Sequence, residues 1–346
     1  MSPRGWFRPA SGFVLGALLL ATVGCRGGCA RTALSARPVG GALAWFPAET
    51  QIAVSIDFGR LRATPLGARL GSLVTANAQD KAQIDELVRR TGFDPMTQID
   101  SLTVAFPEEA RVQGAMGLVM RARGLEEARL VAYVRDQVAK QGDDLFAFHR
   151  AGRTLWATRK EATTAGFFAD DRTFVLGGGG WAEKMAELGR AAPPAGAETN
   201  VTLVHLVERA GPARPLWAVA IVPAATRAAL AADPTLPEAA TVNRLALGID
   251  VGAEVDVRLL ADLATRADAE RMAARVLDAV RAAKQSPQVL LLGIAPYLDG
   301  VSARAVDATC EIGLHLSQAQ ALDAVERLRA YLALARQGSV PGFPHP

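Results

Sequence analysis

Residues 245–284 read LALGIDVGAEVDVRLLADLATRADAERMAARVLDAVRAAK, and three elements follow one another in them. Two runs rich in Leu, Val and Ile, at 245–251 and 255–263, have the length and composition of strands and are parted by Gly252-Ala253-Glu254. The period then changes. Met272, Val276 and Val280 recur four apart on one face of a helix predicted over 266–284, and Thr265 with Asp268 has the spacing of its N-terminal cap. Two adjacent strands followed by a long amphipathic helix predict a sheet with a helix laid on it.

Working outward, the same order of elements is found twice. Around the quoted stretch lie a strand at 217–222, a short helix at 224–230 and an Asp233-Pro234 turn on one side. On the other lie a strand at 308–316 and a helix at 318–335, which Ser317 and Gln320 open at capping-box spacing. The earlier half begins with a strand at 52–58, helices at 61–73 and 78–90, and the turn Phe93-Asp94-Pro95. Strands at 102–106 and 115–121 lead into a helix at 125–140 that carries Leu130, Val134 and Val138 on one face. Strands at 145–149, 154–157 and 173–176 and a helix at 181–188 close it. We therefore expect an α+β protein of two similar halves, each a mostly antiparallel sheet with helices packed on one face. The halves span 42–192 and 193–336 and join near 190–199, where Ala, Pro and Gly cluster.

The N-terminus has the order of a secretory leader. Arg4 and Arg8 precede an uncharged apolar run from Gly12 to Gly24. As a helix that run reaches roughly 20 Å, whereas a bilayer core of about 30 Å takes around 20 residues to span. The run ends in Thr22-Val23-Gly24-Cys25, which resembles the lipobox of bacterial lipoproteins, with Thr22 where that family usually has Leu. The resemblance implies cleavage before Cys25, acylation of its thiol, and attachment to a membrane through the lipid. Lipoproteins kept in the inner membrane commonly have Asp after the cysteine; Arg26 here implies the periplasmic face of the outer membrane. Residues 1–25 are thus read as signal peptide, 26–41 as a flexible tether that stretches to about 50 Å, and 337–346 as a disordered tail.

A second resemblance rests on Phe46-Pro-Ala-Glu-Thr-Gln51, Ser55-Ile-Asp57, Leu61-Arg-Ala-Thr-Pro-Leu66, and Gly92-Phe-Asp-Pro95 followed by Ile99-Asp-Ser-Leu-Thr-Val104. Together these are similar to uncharacterised lipoproteins of myxobacteria and their relatives. The resemblance implies placement in the cell envelope, and it brings no activity with it.

Charge and cysteine content exclude some classes. The formal net charge is +3, and Arg4 and Arg8 leave with the leader, so the mature chain is nearly neutral and offers nucleic acid no attractive field. Of three cysteines, Cys29 and Cys310 remain beside the lipidated one. Cys310 alternates with Ile312, Leu314 and Leu316, an apolar strand face on which a thiol acts as a small hydrophobe, so a free buried thiol is expected over a disulfide.

Chemistry-bearing motifs are few. His149 and His205 fall in segments that read as strands, His315 alternates with Glu311 opposite Cys310, and His345 is in the tail; none has a second ligand at metal spacing. No cofactor is expected. Asp143-Asp144, Asp170-Asp171 and Glu108-Glu109 sit at turns, and neighbouring carboxylates there read as solvated charges. Gly177, Gly178, Gly179 and Gly180, between a strand and the helix at Trp181, form the one candidate anion cradle. Trp181-Ala-Glu183 puts a ring and an acid where a phosphate would lie, which favours a tight turn instead. Trp45-Phe46 and Trp217, just before strands, read as ends of cores.

Three classes of function remain. The leading one is a non-catalytic envelope lipoprotein that binds a protein partner or stabilises a structure. The second is a carrier of lipid or another hydrophobic ligand, for which Leu247, Ile249, Val257, Leu259 and Leu314 would have to line an apolar space instead of filling one. The third is a periplasmic hydrolase, which would need His149 or His205 beside a Ser and an Asp in a pocket.

Overall fold

The computed structural model describes residues 40–74, 78–108, 114–189, 195–231 and 237–336. The leader with Cys25, the tether up to residue 39 with Cys29, Glu109, Asp233-Pro234, and the tail with His345 lie outside them. The chain divides into two compact units after Glu208, and both are α+β with antiparallel sheets.

In the first unit seven strands, β1 (Thr50–Asp57), β2 (Ile99–Pro107), β3 (Met116–Ala122), β4 (Leu145–Arg150), β5 (Arg153–Thr158), β6 (Ala165–Asp170) and β7 (Thr173–Gly178), lie in the order β1-β2-β3-β7-β6-β5-β4. Period-2 alternation sorts their side chains onto two faces. On one face Leu102, Leu118, Met120 and Leu176 pack with Phe58, Phe93 and Leu125. Leu87 of α1 (Ala78–Thr91) joins them, and α2 (Glu127–Lys140) seats Val131 and Val138 against Leu145. The other face is covered as well. A Cβ at Gly117 would lie 2.8 Å from Met185 Sδ of α3 (Trp181–Leu188) and 2.9 Å from the Phe46 ring, so only glycine fits beneath them. Phe167, Leu155 and Val175 are completely buried.

Local signals account for several boundaries. Asp94 accepts a hydrogen bond from the Met96 amide at 2.9 Å and caps the single turn Pro95–Gln98, with Pro95 where its missing N–H costs nothing. A break at Ala63-Thr64 divides the helix expected over 61–73 into Phe58–Arg62 and Pro65–Val74, because proline at a first helical turn starts a new helix.

Two elements of this region depart from the sequence reading. Residues Ala165–Asp170 form β6, between β5 and β7, where the sequence reading named no strand. The segment containing His205 is a helix, α4 (Val201–Ala210), and not a strand. Asn200 accepts from the Leu203 amide at 3.1 Å and starts it, and the Asn200 amide nitrogen donates to the Thr50 carbonyl at 3.4 Å. That attachment puts most of α4 with the first unit, so the division falls at Glu208 instead of residue 192.

The second unit has five strands, β8 (Leu216–Ile221), β9 (Arg244–Val251), β10 (Glu254–Asp262), β11 (Val301–Val306) and β12 (Thr309–Ser317), in the order β8-β9-β10-β12-β11. This repeats the β1-β2-β3-β7-β6 order of the first unit. Helix α5 (Arg266–Lys284) occupies the predicted residues, and Thr265 Oγ1 accepts from the Asp268 amide at 3.1 Å. Its Ala269, Met272 and Ala273 pack with Ala261, Leu263 and Cys310. Cys310 is a free thiol, fully buried, and burial raises its pKa. The short helix α6 (Pro287–Leu292) precedes β11, a strand absent from the sequence reading. After β12 the predicted capping box forms: the Gln320 amide donates to Ser317 Oγ at 3.2 Å, and the Ser317 amide to Gln320 Oε1 at 2.9 Å. It opens α7 (Gln318–Arg336), which rests against β12 and β10.

Candidate functional site

The two faces of the second sheet differ in chemistry, and both are candidates for function. On one face the registers Asp262↔Thr309, Leu260↔Glu311 and Arg304↔Glu311 align charged side chains from β10, β12 and β11. Arg209 makes a two-pronged ion pair with Asp262 at 2.7 and 2.9 Å, and Thr309 Oγ1 donates to the same carboxylate at 2.8 Å. Burial opposes ionisation of Asp262, but the bonds from Arg209 and Thr309 outweigh it and hold its pKa below the ordinary value. Glu311 accepts from Arg304 Nε at 2.8 Å and from Arg258 at 2.9 Å, and its pKa is lowered chiefly by the Arg304 bond. Arg209, Arg258, Thr309 and Glu311 border a shallow cleft of about 230 Å³ with Leu260, Val306 and Asp307. Arg209 is paired with Asp262, and Arg258 and Arg304 share Glu311, so the charges are bridged across the strands.

The opposite face is wholly apolar. One cross-strand row reads Val301, Leu314, Val257, Ile249, Leu216, and the next reads Ala303, Ile312, Leu259, Leu247, Ala218, from β11 through β12, β10 and β9 to β8. All ten side chains are half-buried. The rows flanking them are tighter at their centres: Cys310 and Ala261 on the side under α5, and Leu316, Val255 and Val251 on the other. Ala303 and Ile312 also lean on the cluster beneath α5. The arrangement is a stripe of incompletely covered hydrocarbon running across five strands. It contains all five positions that a hydrophobic-ligand carrier was expected to use.

The glycine run has another geometry. Gly177 and Gly178 end β7, Gly179 and Gly180 have φ of 58° and 81°, and Gly180 begins α3. A Cβ on Gly177 would lie 2.3 Å from the Ala182 nitrogen, one on Gly178 2.5 Å from the Gly114 carbonyl oxygen, and one on Gly179 2.8 Å from Ala115 Cα. The protein's own backbone fills the space at these three positions, and the run makes a tight strand-to-helix turn.

Histidines and paired acids are dispersed. His149 Nδ1 is 3.4 Å from Thr154 Oγ1 on the exposed β4–β5 hairpin, His205 is exposed 3.8 Å from Glu208, and His315 pairs with Glu254 across β12 and β10 at 3.2 Å. Neither His149 nor His205 borders the cleft described above. Asp143 and Asp144 hold the Lys160 amide and the Arg159 side chain. Asp170 Oδ1 accepts from the Arg172 amide at 2.8 Å in the β6–β7 turn. Among the described residues no group of His, Cys, Asp and Glu could hold a metal ion, and no helix is long and apolar enough to cross a membrane.

Sequence reasoning did not find the Arg209, Asp262 and Thr309 network. The carboxylate is 53 residues from the arginine and 47 from the threonine. Only the β10–β12 register joins Asp262 to Thr309, and α4 had to be recognised as a helix before Arg209 could be placed at its end.

No family model and no curated protein matches the chain. Among solved structures it is similar to crystal form III of TP0453, at 14% identity and a TM-score of 0.43 over 85% of this chain and 99% of that one. It is similar also to crystal form I of TP0453, at 9% identity and a TM-score of 0.40 over 86% and 99%. A likeness this loose identifies no shared site.

Proposed function

We propose that the chain is a lipid-anchored protein of the bacterial cell envelope, without evident catalysis, in the class of the uncharacterised myxobacterial lipoproteins it resembles. It is exported by residues 1–25, acylated on Cys25 and held at the periplasmic face of the outer membrane by the tether 26–41. One observation carries this reading: an apolar run too short to span a bilayer ends at Thr22-Val23-Gly24-Cys25, behind two arginines. Among the described residues neither His149 nor His205 borders the cleft, so the histidine-based set that the hydrolase reading requires is not assembled there. A second reading, a carrier of hydrophobic ligand, is favoured by the half-buried apolar stripe of the second unit.

Phase partitioning tests the anchor. Wild type enters the detergent phase, and Cys25→Ala stays in the aqueous phase; equal partitioning of the two would refute acylation.

A further inference from the structure

We propose that β4, the edge strand of the first unit, is the seam of a dimer in which two copies of this chain join their sheets antiparallel about Ala147. β4 ends the strand order, and among the described residues no strand pairs with its outer side. The two-residue turn Ala151-Gly152, with φ of 48° and 66°, makes Arg150 and Arg153 a pair that exchanges backbone bonds. Counting back from it, the backbone groups of Phe148 and Phe146 face β5, as does the Asp144 carbonyl, which accepts from the Arg159 amide at 3.2 Å. The backbone groups of Leu145, Ala147 and His149 therefore face outward. Ala147 and His149 are exposed, so this row of N–H and C=O groups stands open to another strand.

The side chains say which strand fits. On one face of the sheet Phe148 stands opposite Leu155, and Phe146 opposite Ala157. Leu155 and Ala157 are buried, whereas the two rings, 6.1 Å apart, are only half-buried, so an apolar row runs to the edge of the sheet and stops there. Residues 144–150 read Asp-Leu-Phe-Ala-Phe-His-Arg, which complements itself when reversed. With Ala147 on the two-fold axis, the outward groups of Leu145, Ala147 and His149 form about six bonds with those of His149, Ala147 and Leu145 in the second copy. Phe146 then meets Phe148 of the second copy at the closer, non-hydrogen-bonded spacing, and Asp144 meets Arg150. A parallel in-register pairing would set Asp144 against Asp144 and Arg150 against Arg150, so the charges select the antiparallel form.

Within one copy Asp144 pairs with Arg159 at 3.2 Å and Arg150 with Glu187 at 2.8 Å. Both pairs are exposed and weakly held, which leaves their charges available to a second copy. The strand that ends the order of the second unit, β11, lacks this pattern: its one charged residue is Arg304, and a second β11 has no carboxylate to meet it.

The test is sedimentation equilibrium of the full-length chain in density-matched non-ionic detergent at low salt. A strand edge buries less than the roughly 800 Å² per partner of a standard interface, so the expected result is a dimer that dissociates on dilution. A chain still monomeric at about 0.2 mM overturns the proposal. Asp144→Arg and Arg150→Asp should each weaken self-association at least fivefold, because each sets like charges opposite one another on both sides of the axis. Mixed together, the two variants should form a heterodimer at least as tight as the wild-type dimer. Single variants that associate as wild type does, or a mixture that forms no heterodimer, overturn the proposal. Ala147→Pro removes an outward N–H and no bond to β5, and should weaken association at least tenfold. Hydrogen exchange of wild type needs no variant: the amides of Leu145, Ala147 and His149 should lose protection as the dimer is diluted, and a change confined to other elements overturns the proposal. Cys25→Ala should dimerise as wild type does; a dimer lost in that variant belongs to the lipid anchor and overturns it too.

Discussion

The two units share a strand order and differ in how they finish their sheets. In the first, both faces carry fully buried side chains: Phe93, Leu118 and Leu176 on one, and Phe46, Phe167 and Leu155 with Met185 of α3 on the other, while Ile56, Val104, Phe168 and Phe174 are only partly buried. In the second, one face carries cross-strand ion pairs on β10, β12 and β11 beside buried Leu260, Ala246, Val219 and Trp217, and the other packs under α5 and is half-buried along the Leu314-Val257-Ile249 row. The same strand order thus supports large fully buried rings in one unit and a continuous half-buried aliphatic row in the other.

Substitutions that separate sealed from half-covered positions test this contrast. The largest effect is expected from Phe167→Ala: removing a fully buried ring should cost about 4 kcal/mol in urea unfolding followed by tryptophan fluorescence. A cost below about 1 kcal/mol would mean that the first sheet is not closed on that face. Gly177→Ala drives a methyl into the Ala182 backbone and should cost about 2 to 3 kcal/mol. Inorganic phosphate should leave the melting temperature of wild type unchanged; a rise would revive the anion cradle.

Asp262→Ala leaves Arg209 without its carboxylate and should cost about 2 kcal/mol at pH 7, less than a fully buried pair because both side chains retain some solvent contact. The folded pKa of Asp262 lies below its unfolded value, so its contribution is present above about pH 4 and is lost as pH falls through the folded pKa. Unfolding of wild type and Asp262→Ala should accordingly converge in acid, and a gap that widens below pH 4 would contradict the pairing. The smallest effect belongs to Leu259→Ala, about 1 kcal/mol, because the side chain is already partly in water. A cost near that of Phe167→Ala would show the stripe to be ordinary core.

How legible each element was follows from where its signal lay. Helices α3 and α5 and the caps at Thr265 and Ser317 could be read because period and cap are local. The Val- and Leu-rich stretch Val201–Ala210 reads as strand by composition, and the Asn200 cap was the signal that would have corrected it. Strand β6, six residues with an internal glycine, and β11, whose apolar side is mostly alanine, are too short and weak in pattern to stand out. The apolar stripe was half-legible: alternation named its residues, but coverage of a sheet face is a tertiary property that alternation does not encode. The leader is read wholly from the sequence.

The intact mass of the protein purified from bacterial envelopes tests the central claim most directly. The account predicts a chain beginning at Cys25 and carrying a diacylglyceryl group on that thiol. A chain that begins at Met1 with no fatty acid would contradict it.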